Sequence, residues 1–248
     1  MHSIDISEEA GVRFLHFGSD WIQGAMRSAR PYDLELEYTR EMMLPLLYHG
    51  ADWPRRVLLI GLGSGSLLKF LWRHRPRARL TVAEIDPRME AMARQCFKLP
   101  DDAERIRIHV ADGADFVIGT RQRFDLILVD GFDADARPGQ LDSVPFYLDC
   151  RARLADEGIF CVNLLSRRRE FGASVGRLRD AFEHHLLALP SGDAGNAIVI
   201  AARPDAVPPS LTFEELTAAA KALRKSTGLN LSPLLARLAQ ARKAGGGL

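Results

Sequence analysis

The chain has 248 residues, of which 47% are hydrophobic and 26% charged, with a formal net charge of +1. That length accommodates one core with a small appendage, and the near-neutral balance gives no electrostatic case for nucleic acid or an anionic membrane surface as partner. No run approaches the ~18 apolar residues of a membrane span, the opening MHSIDISEEAG has no apolar signal core, and Cys96, Cys150 and Cys161 lack CxxC spacing, so neither a disulfide framework nor a metal site is expected and a reduced, cytoplasmic compartment is.

Residues 12–30 alternate at roughly period two around a Gly-Ser-Asp turn signal and predict a short β-hairpin. Residues 33–49 carry a helical pattern up to Trp53-Pro54. From Arg56 the apolar runs Val57–Ile60, Leu80–Ala83, Ile106–Val110, Phe124–Val129 and Ile159–Val162 alternate with amphipathic segments such as Leu67–His74, Pro87–Phe97 and Phe146–Leu154. That rhythm implies parallel pairing with right-handed crossovers, hence a doubly wound α/β sheet. After a helix near 171–185, Leu186–Leu189 and Ala197–Ala202 flank the turn-rich PSGDAGN and predict a closing antiparallel hairpin at the sheet edge. Residues 211–243 read as two helices broken at Thr227-Gly228, followed by a disordered AGGGL tail. The expected division is 1–50 as a β-hairpin and helix, 51–205 as a nucleoside-binding α/β domain, and 206–248 as a helical extension.

Gly61-Leu-Gly63-Ser-Gly65-Ser lies between a strand and a helix, where the chain turns sharply and the backbone must approach a ligand. Alone, this GxGxG is a weak signal that also fits a plain tight turn. Glu84 ends the second strand about twenty residues later, where a carboxylate accepts from ribose hydroxyls. Asp112-Gly113 follows the third strand, and an ionised acid there accepts from an exocyclic amine such as that of adenine. These signals fall at the carboxyl ends of consecutive strands, where open α/β sheets bind ligands. Ser66 stands where nicotinamide binding requires glycine or alanine, so the pattern favours an S-adenosylmethionine-type nucleoside. Glu84 and Asp112 each also have a purely structural reading, as caps on the helix that follows. Asp130, Asp133 and Asp135 crowd the end of the fourth strand, a site for something cationic or a solvated turn beside Pro138.

VLLIGLGSGS, VAEIDPRM, ADGADF, FDLILVDGFD and SVPFYLDCRARLADEGIFCVNL together resemble the spermidine synthase (polyamine aminopropyltransferase) family, within the S-adenosylmethionine-dependent methyltransferase fold, over about residues 12–205. The resemblance implies a mostly parallel seven-stranded sheet with a small N-terminal β element. It also implies an aminopropyl donor, decarboxylated S-adenosylmethionine, a small-molecule amine acceptor, no metal, and a homodimer. DWIQGAM places Gln23 at the nucleoside together with Gly61, Gly63, Gly65, Glu84, Asp112, Gly113 and Asp130. LEYTREMMLPLL matches the family's tyrosine and later proline at Tyr38 and Pro45. DGFD matches its Asp-x-x-Asp, so Asp133 corresponds to the catalytic base and Asp130 to its orienter. SVPFY brings Tyr147 to the acceptor channel, against an equal reading as a core residue. Asp142 joins Asp135 as a source of negative potential.

There are departures. Ser64 replaces an aspartate that helps hold the aminopropyl amine. Thr39 and Arg40 replace histidine and glutamate, and a cation in the channel would oppose a cationic acceptor. Asn163 stands for glutamine, and Ala134 for the proline after the catalytic acid. The alternatives are a methyltransferase using S-adenosylmethionine itself, or a family relic that binds a nucleoside without turnover. His184-His185 and Arg167-Arg168-Arg169 read as a helix terminus and a solvated loop. The acceptor's identity is not encoded in any of these motifs.

Overall fold

The computed structural model describes residues 3–18, 21–132, 137–190, 195–208 and 210–243. A small antiparallel sheet comes first, in the order β1 (Asp5–Glu9), β2 (Val12–His16), β3 (Ile22–Arg27). β2 and β3 are the hairpin expected over 12–30, and β1 is additional. Every residue of β1 is exposed, so DISEE carries no apolar alternation by which to find it. Its turn forms it: Ala10 and Gly11 have φ of 49° and 74°, two left-handed residues of the kind that suit the twist of paired strands.

The helix expected over 33–49 is instead two short pieces, α1 (Glu37–Glu41) and a 3-10 turn at Leu44–Leu47. Pro45 lies in the first turn of the second piece. It has no N–H to donate back to α1, so the α-helical ladder cannot run through. The second piece is buried throughout and α1 only at Thr39 and Glu41, while Met42 and Met43 between them are fully enclosed.

The main sheet comprises β4 (Arg56–Ile60), β5 (Arg79–Glu84), β6 (Ile106–Val110), β7 (Phe124–Val129), β8 (Leu154–Leu165), β9 (Leu186–Pro190) and β10 (Asn196–Ala202). Its order is β6-β5-β4-β7-β8-β10-β9. β4 through β8 are parallel, and β10 runs antiparallel to both β8 and β9. β4 and β7 are almost continuous apolar runs because helices cover both of their faces. β8 is longer than its apolar run Ile159–Val162 suggests. Phe124 pairs with Leu154 but Leu126 with Ile159, an irregularity that Glu157 accommodates at φ 56°.

The crossovers are α2 (Ser66–His74), α3 (Arg88–Phe97), α4 (Gly113–Gly119), α5 (Val144–Ala152) and α6 (Phe171–Ala181). The C-terminal helices α7 (Phe213–Thr227) and α8 (Ser232–Lys243) break at the expected place, with Gly228 closing α7 in the left-handed region. Thr212 and Glu215 form a reciprocal capping box at its start. One apolar cluster joins Leu15 and Met42 from the N-terminal region, Leu59 and Leu126 from the sheet, and Leu216 and Leu234 from the C-terminal helices. The strand order reverses between β4 and β7, so the crevice of an open α/β sheet lies beyond the carboxyl ends of these two strands.

Candidate active site

A cavity of about 700 Å³ opens at that point. β4 delivers Gly61, whose N–H donates to the Ala83 carbonyl at 2.9 Å. Gly61 has φ 91°, and a Cβ there would lie 2.3 Å from the Asp130 carbonyl oxygen. Only glycine lets the ends of β4 and β7 come so close. Gly63 follows in the cavity wall, and Gln23 of β3 faces the same space.

Glu84 ends β5 and is buried at 8% exposure. Its Oε2 accepts from Leu62 N–H at 2.7 Å and its Oε1 from Asp86 N–H at 2.9 Å. Burial raises its pKa and these bonds pull it back down. Glu84 therefore locks the glycine loop while lining the cavity. Asp112 is the N-cap of α4, with Oδ1 accepting from Ala114 and Asp115 N–H at 2.8 and 3.2 Å. The capping reading of Asp112 is thus realised, and the residue lines the cavity as well, beside Gly113.

Asp130 sits at the deep end, directly after β7. Its Oδ2 accepts from the Tyr38 hydroxyl at 3.1 Å and its Oδ1 from Asn163 Nδ2 at 2.9 Å. Asn163 Oδ1 in turn accepts from Asn196 Nδ2 at 2.9 Å. The chain of bonds runs from β10 through β8 to β7 and on to α1. What exposure Asp130 keeps is to the cavity it lines. Loss of hydration there raises its carboxyl pKa, against the lowering effect of Asn163 and Tyr38. Tyr38 is raised well above the usual phenol value by burial and by the adjacent Asp130 charge.

Gln23, Tyr38, Gly61, Gly63, Glu84, Asp112, Gly113 and Asp130 are thus brought to one cavity. Two other sequence candidates are not. Gly65 is the N-cap of α2, and a Cβ on it would meet Leu99 Cδ1 at 2.7 Å, so it serves helix packing behind the loop. Tyr147 is fully buried and donates to Asp142 Oδ1 at 2.8 Å. Asp133 and Asp135 lie outside the described residues. Asp142 contributes no open negative charge, because Arg177 pairs with it and Ser174 and Tyr147 also donate to it.

The departure at Arg40 also resolves differently from its sequence reading. Its Nε donates to Leu34 O and its Nη2 to Glu35 O, and it is absent from the cavity lining, where Thr39 is present. It opposes no cation there. Ser64 is buried in the cavity wall, its hydroxyl 2.9 Å from that of Ser66. Sequence reasoning missed Asn196, Leu141 and Ile85, all of which line the cavity. Ile85 is 68% exposed, and an apolar residue directly after a strand-end acid was a usable signal for it. Cys150 and Cys161 are free and buried, and burial pushes both thiols upward.

The spermine/spermidine synthase domain matches residues 36–166. The polyamine aminopropyltransferase of Neisseria meningitidis serogroup A is 37% identical over 235 residues, covering 95% of this chain and 88% of that protein. A probable spermidine synthase from Corynebacterium glutamicum superposes with a TM-score of 0.75 at 21% identity, covering 98% of this chain and 90% of that one. Human methyltransferase-like protein 13, solved with SAH, superposes with a TM-score of 0.69 at 25% identity, covering 78% of this chain and 93% of that one. On the family model and the Neisseria relative, the chain belongs to the spermine/spermidine synthase family.

Proposed function

We propose that this protein transfers the aminopropyl group of decarboxylated S-adenosylmethionine to a small amine acceptor. One observation supports this above the rest: Asp130, held by Tyr38 and Asn163, stands in the same cavity as the nucleoside acids Glu84 and Asp112. Glu84 and Asp112 hold the ribose and adenine, and Gln23 covers the glycine loop. Asp130 presents a fixed carboxylate toward the reacting region, where charge-assisted hydrogen bonds orient a cationic amine.

The acceptor nitrogen attacks the propyl carbon bonded to sulfur. As the C–N bond forms the C–S bond breaks, its electron pair returns to the sulfonium, and methylthioadenosine leaves as a neutral thioether. The acceptor nitrogen sheds one proton, which the resemblance assigns to Asp133 as general base. The sulfonium is already a good leaving group, so the chain's contribution is alignment of the two reactants and removal of that proton. In this reading residues 51–205 form the catalytic unit, with 1–50 and 206–248 flanking it. The protein acts as a homodimer in a reducing cytoplasm, by the family's habit and its free thiols. No helix among the described residues is long and apolar enough to cross a membrane.

The test of the base is Asp133→Asn. Transfer is expected to fall by at least about a hundredfold while calorimetric binding of methylthioadenosine is unchanged; normal turnover would remove Asp133 from the mechanism. A second reading, methyl transfer from S-adenosylmethionine, rests on Ser64, whose neutral hydroxyl in the cavity wall presents no charge to reject the donor's carboxylate. Calorimetry with both donors separates the two, since aminopropyl transfer requires preference for the decarboxylated one.

A further inference from the structure

Asp142 is the last acid before α5, and its side chain is only 9% exposed. Its Oδ1 accepts from the Tyr147 hydroxyl at 2.8 Å and from Arg177 Nε at 3.1 Å. Its Oδ2 accepts from Ser174 Oγ at 2.6 Å and Arg177 Nη2 at 2.5 Å. A carboxylate offers about four lone-pair sites, and these donors fill them. Tyr147 comes from α5, while Ser174 and Arg177 lie three apart on one face of α6. Asp142 is therefore unavailable to a substrate ammonium, and its role must be sought in what it is attached to.

It is attached to Leu141. The δ-methyls of Leu141 lie 2.6 Å from where a Cβ on Gly131 would stand and 3.2 Å from one on Gly113. Leu141 thus packs onto both glycines, and with Gln140 it lines the nucleoside cavity. Backbone bonds within the segment are local turns only, Leu141 to Pro138 and Asp142 to Gly139. Two sets of polar ties join this segment to the helices behind it: Ser143 caps α5, accepting from Phe146 N–H at 3.3 Å and Tyr147 N–H at 3.1 Å, and the Asp142 carboxylate reaches side chains of both α5 and α6. A smaller cavity of about 110 Å³ lies behind, walled by Asp142, Ser174 and Arg177, and it shares Phe132 and Pro138 with the main one.

We infer that Tyr147, Ser174 and Arg177 are positioning residues that clamp Asp142 and thereby fix segment 137–143 as a wall of the nucleoside cavity. This rests on the site assignment above for its consequence on binding, but not for the clamp itself. Tyr38 and Asn163 hold Asp130 at the end of β7, and the clamp holds segment 137–143 ahead of α5. Tyr147 then acts on the reaction without touching the acceptor.

Two readouts test this on the full-length protein. Hydrogen–deuterium exchange of the ligand-free protein is expected to show segment 137–143 exchanging about tenfold faster in Arg177→Met, with β4 and β5 unchanged. Arg177→Lys, which keeps the charge, restores part of the protection. Ser174→Ala, which removes a single donor, gives a smaller effect in the same direction should Arg177→Met fail to fold. Calorimetry with methylthioadenosine is expected to show about tenfold weaker binding in Arg177→Met. Steady-state kinetics should show a raised donor KM with kcat changed less than about twofold. Unchanged exchange in segment 137–143 would overturn the clamp, as would a rise in acceptor KM with donor KM unaltered. If the unmodified protein binds no nucleoside, the site assignment falls, and the exchange data alone still decide for or against the clamp.

Discussion

Tyr38 donates its phenolic hydrogen to Oδ2 of Asp130 across 3.1 Å, joining α1 to the end of the central strand β7. Poor hydration raises the Asp130 pKa, and this bond together with the Asn163 bond to Oδ1 opposes that rise. Tyr38→Phe removes one of the two bonds that lower the Asp130 pKa, so that pKa moves further up. The acid limb of the kcat/KM–pH profile is expected to shift to higher pH. The value at neutral pH should fall about tenfold, equal to ~1.4 kcal/mol and typical of a hydrogen bond to a charged group. An unmoved acid limb would show that Asp130 does not govern it.

Glu84 faces two backbone N–H groups and the cavity together. Glu84→Gln keeps the shape but sets an NH2 against one of those donors. The glycine loop loosens and the ribose acceptor weakens at once. Calorimetry with methylthioadenosine is expected to show at least about tenfold weaker binding. Affinity equal to the unmodified protein would leave Glu84 with its loop-locking role alone.

Lys69 gives a pH test independent of catalysis. It is buried at 1% exposure and donates from Nζ to the Phe97 carbonyl at 2.7 Å. Burial, aided by the Lys98 charge, lowers its pKa to about 7. An unfolded lysine titrates near ~10.4. Between those values the unfolded chain binds a proton that the folded chain does not, so this group makes stability rise with pH across the window, by at most ~1.4 kcal/mol per pH unit. Lys69→Met is expected to flatten that rise in urea unfolding followed from about pH 7 to about pH 10. Identical slopes in the two proteins would show that Lys69 stays charged in the fold.

Much of this site was legible because it obeys one rule of α/β sheets. Gly61, Glu84, Asp112 and Asp130 each stand at or just past the end of a strand whose apolar run is plain in the sequence, and all four meet at the carboxyl edge. Tyr38 was legible only through family resemblance, since its short helix has no periodicity of its own. Asn196 had no signal, because its partner Asn163 is 33 residues away and meets it only through the β8–β10 pairing. Asp142 was misread for the same reason. As a sequence it is one more acid near a cationic site, and only the fold brings Ser174 and Arg177 of α6 onto it. β1 escaped notice because a fully exposed strand has no buried face to mark it.

The C-terminal helices reach the site indirectly. Arg237 of α8 pairs with Glu41, which sits on the same short helix as Tyr38. Glu41 is 5% exposed, and burial raises its pKa despite Arg237. Removing the partner leaves a buried carboxylate uncompensated. Because Arg237 is partly exposed, the expected loss in Arg237→Met is about 1–3 kcal/mol. Calorimetric melting should show it as a lowered Tm, with part of the loss recovered in the double variant Glu41→Gln, Arg237→Met. A Tm equal to the unmodified protein would place this pair among surface bridges of no consequence.

The most direct measurement is the mass of the products formed when the protein is mixed with a diamine and either decarboxylated S-adenosylmethionine or S-adenosylmethionine. Aminopropyl transfer predicts methylthioadenosine and an amine lengthened by one aminopropyl unit, from the decarboxylated donor only. A methylated amine from the carboxylated donor, with no lengthened amine from the other, would contradict it.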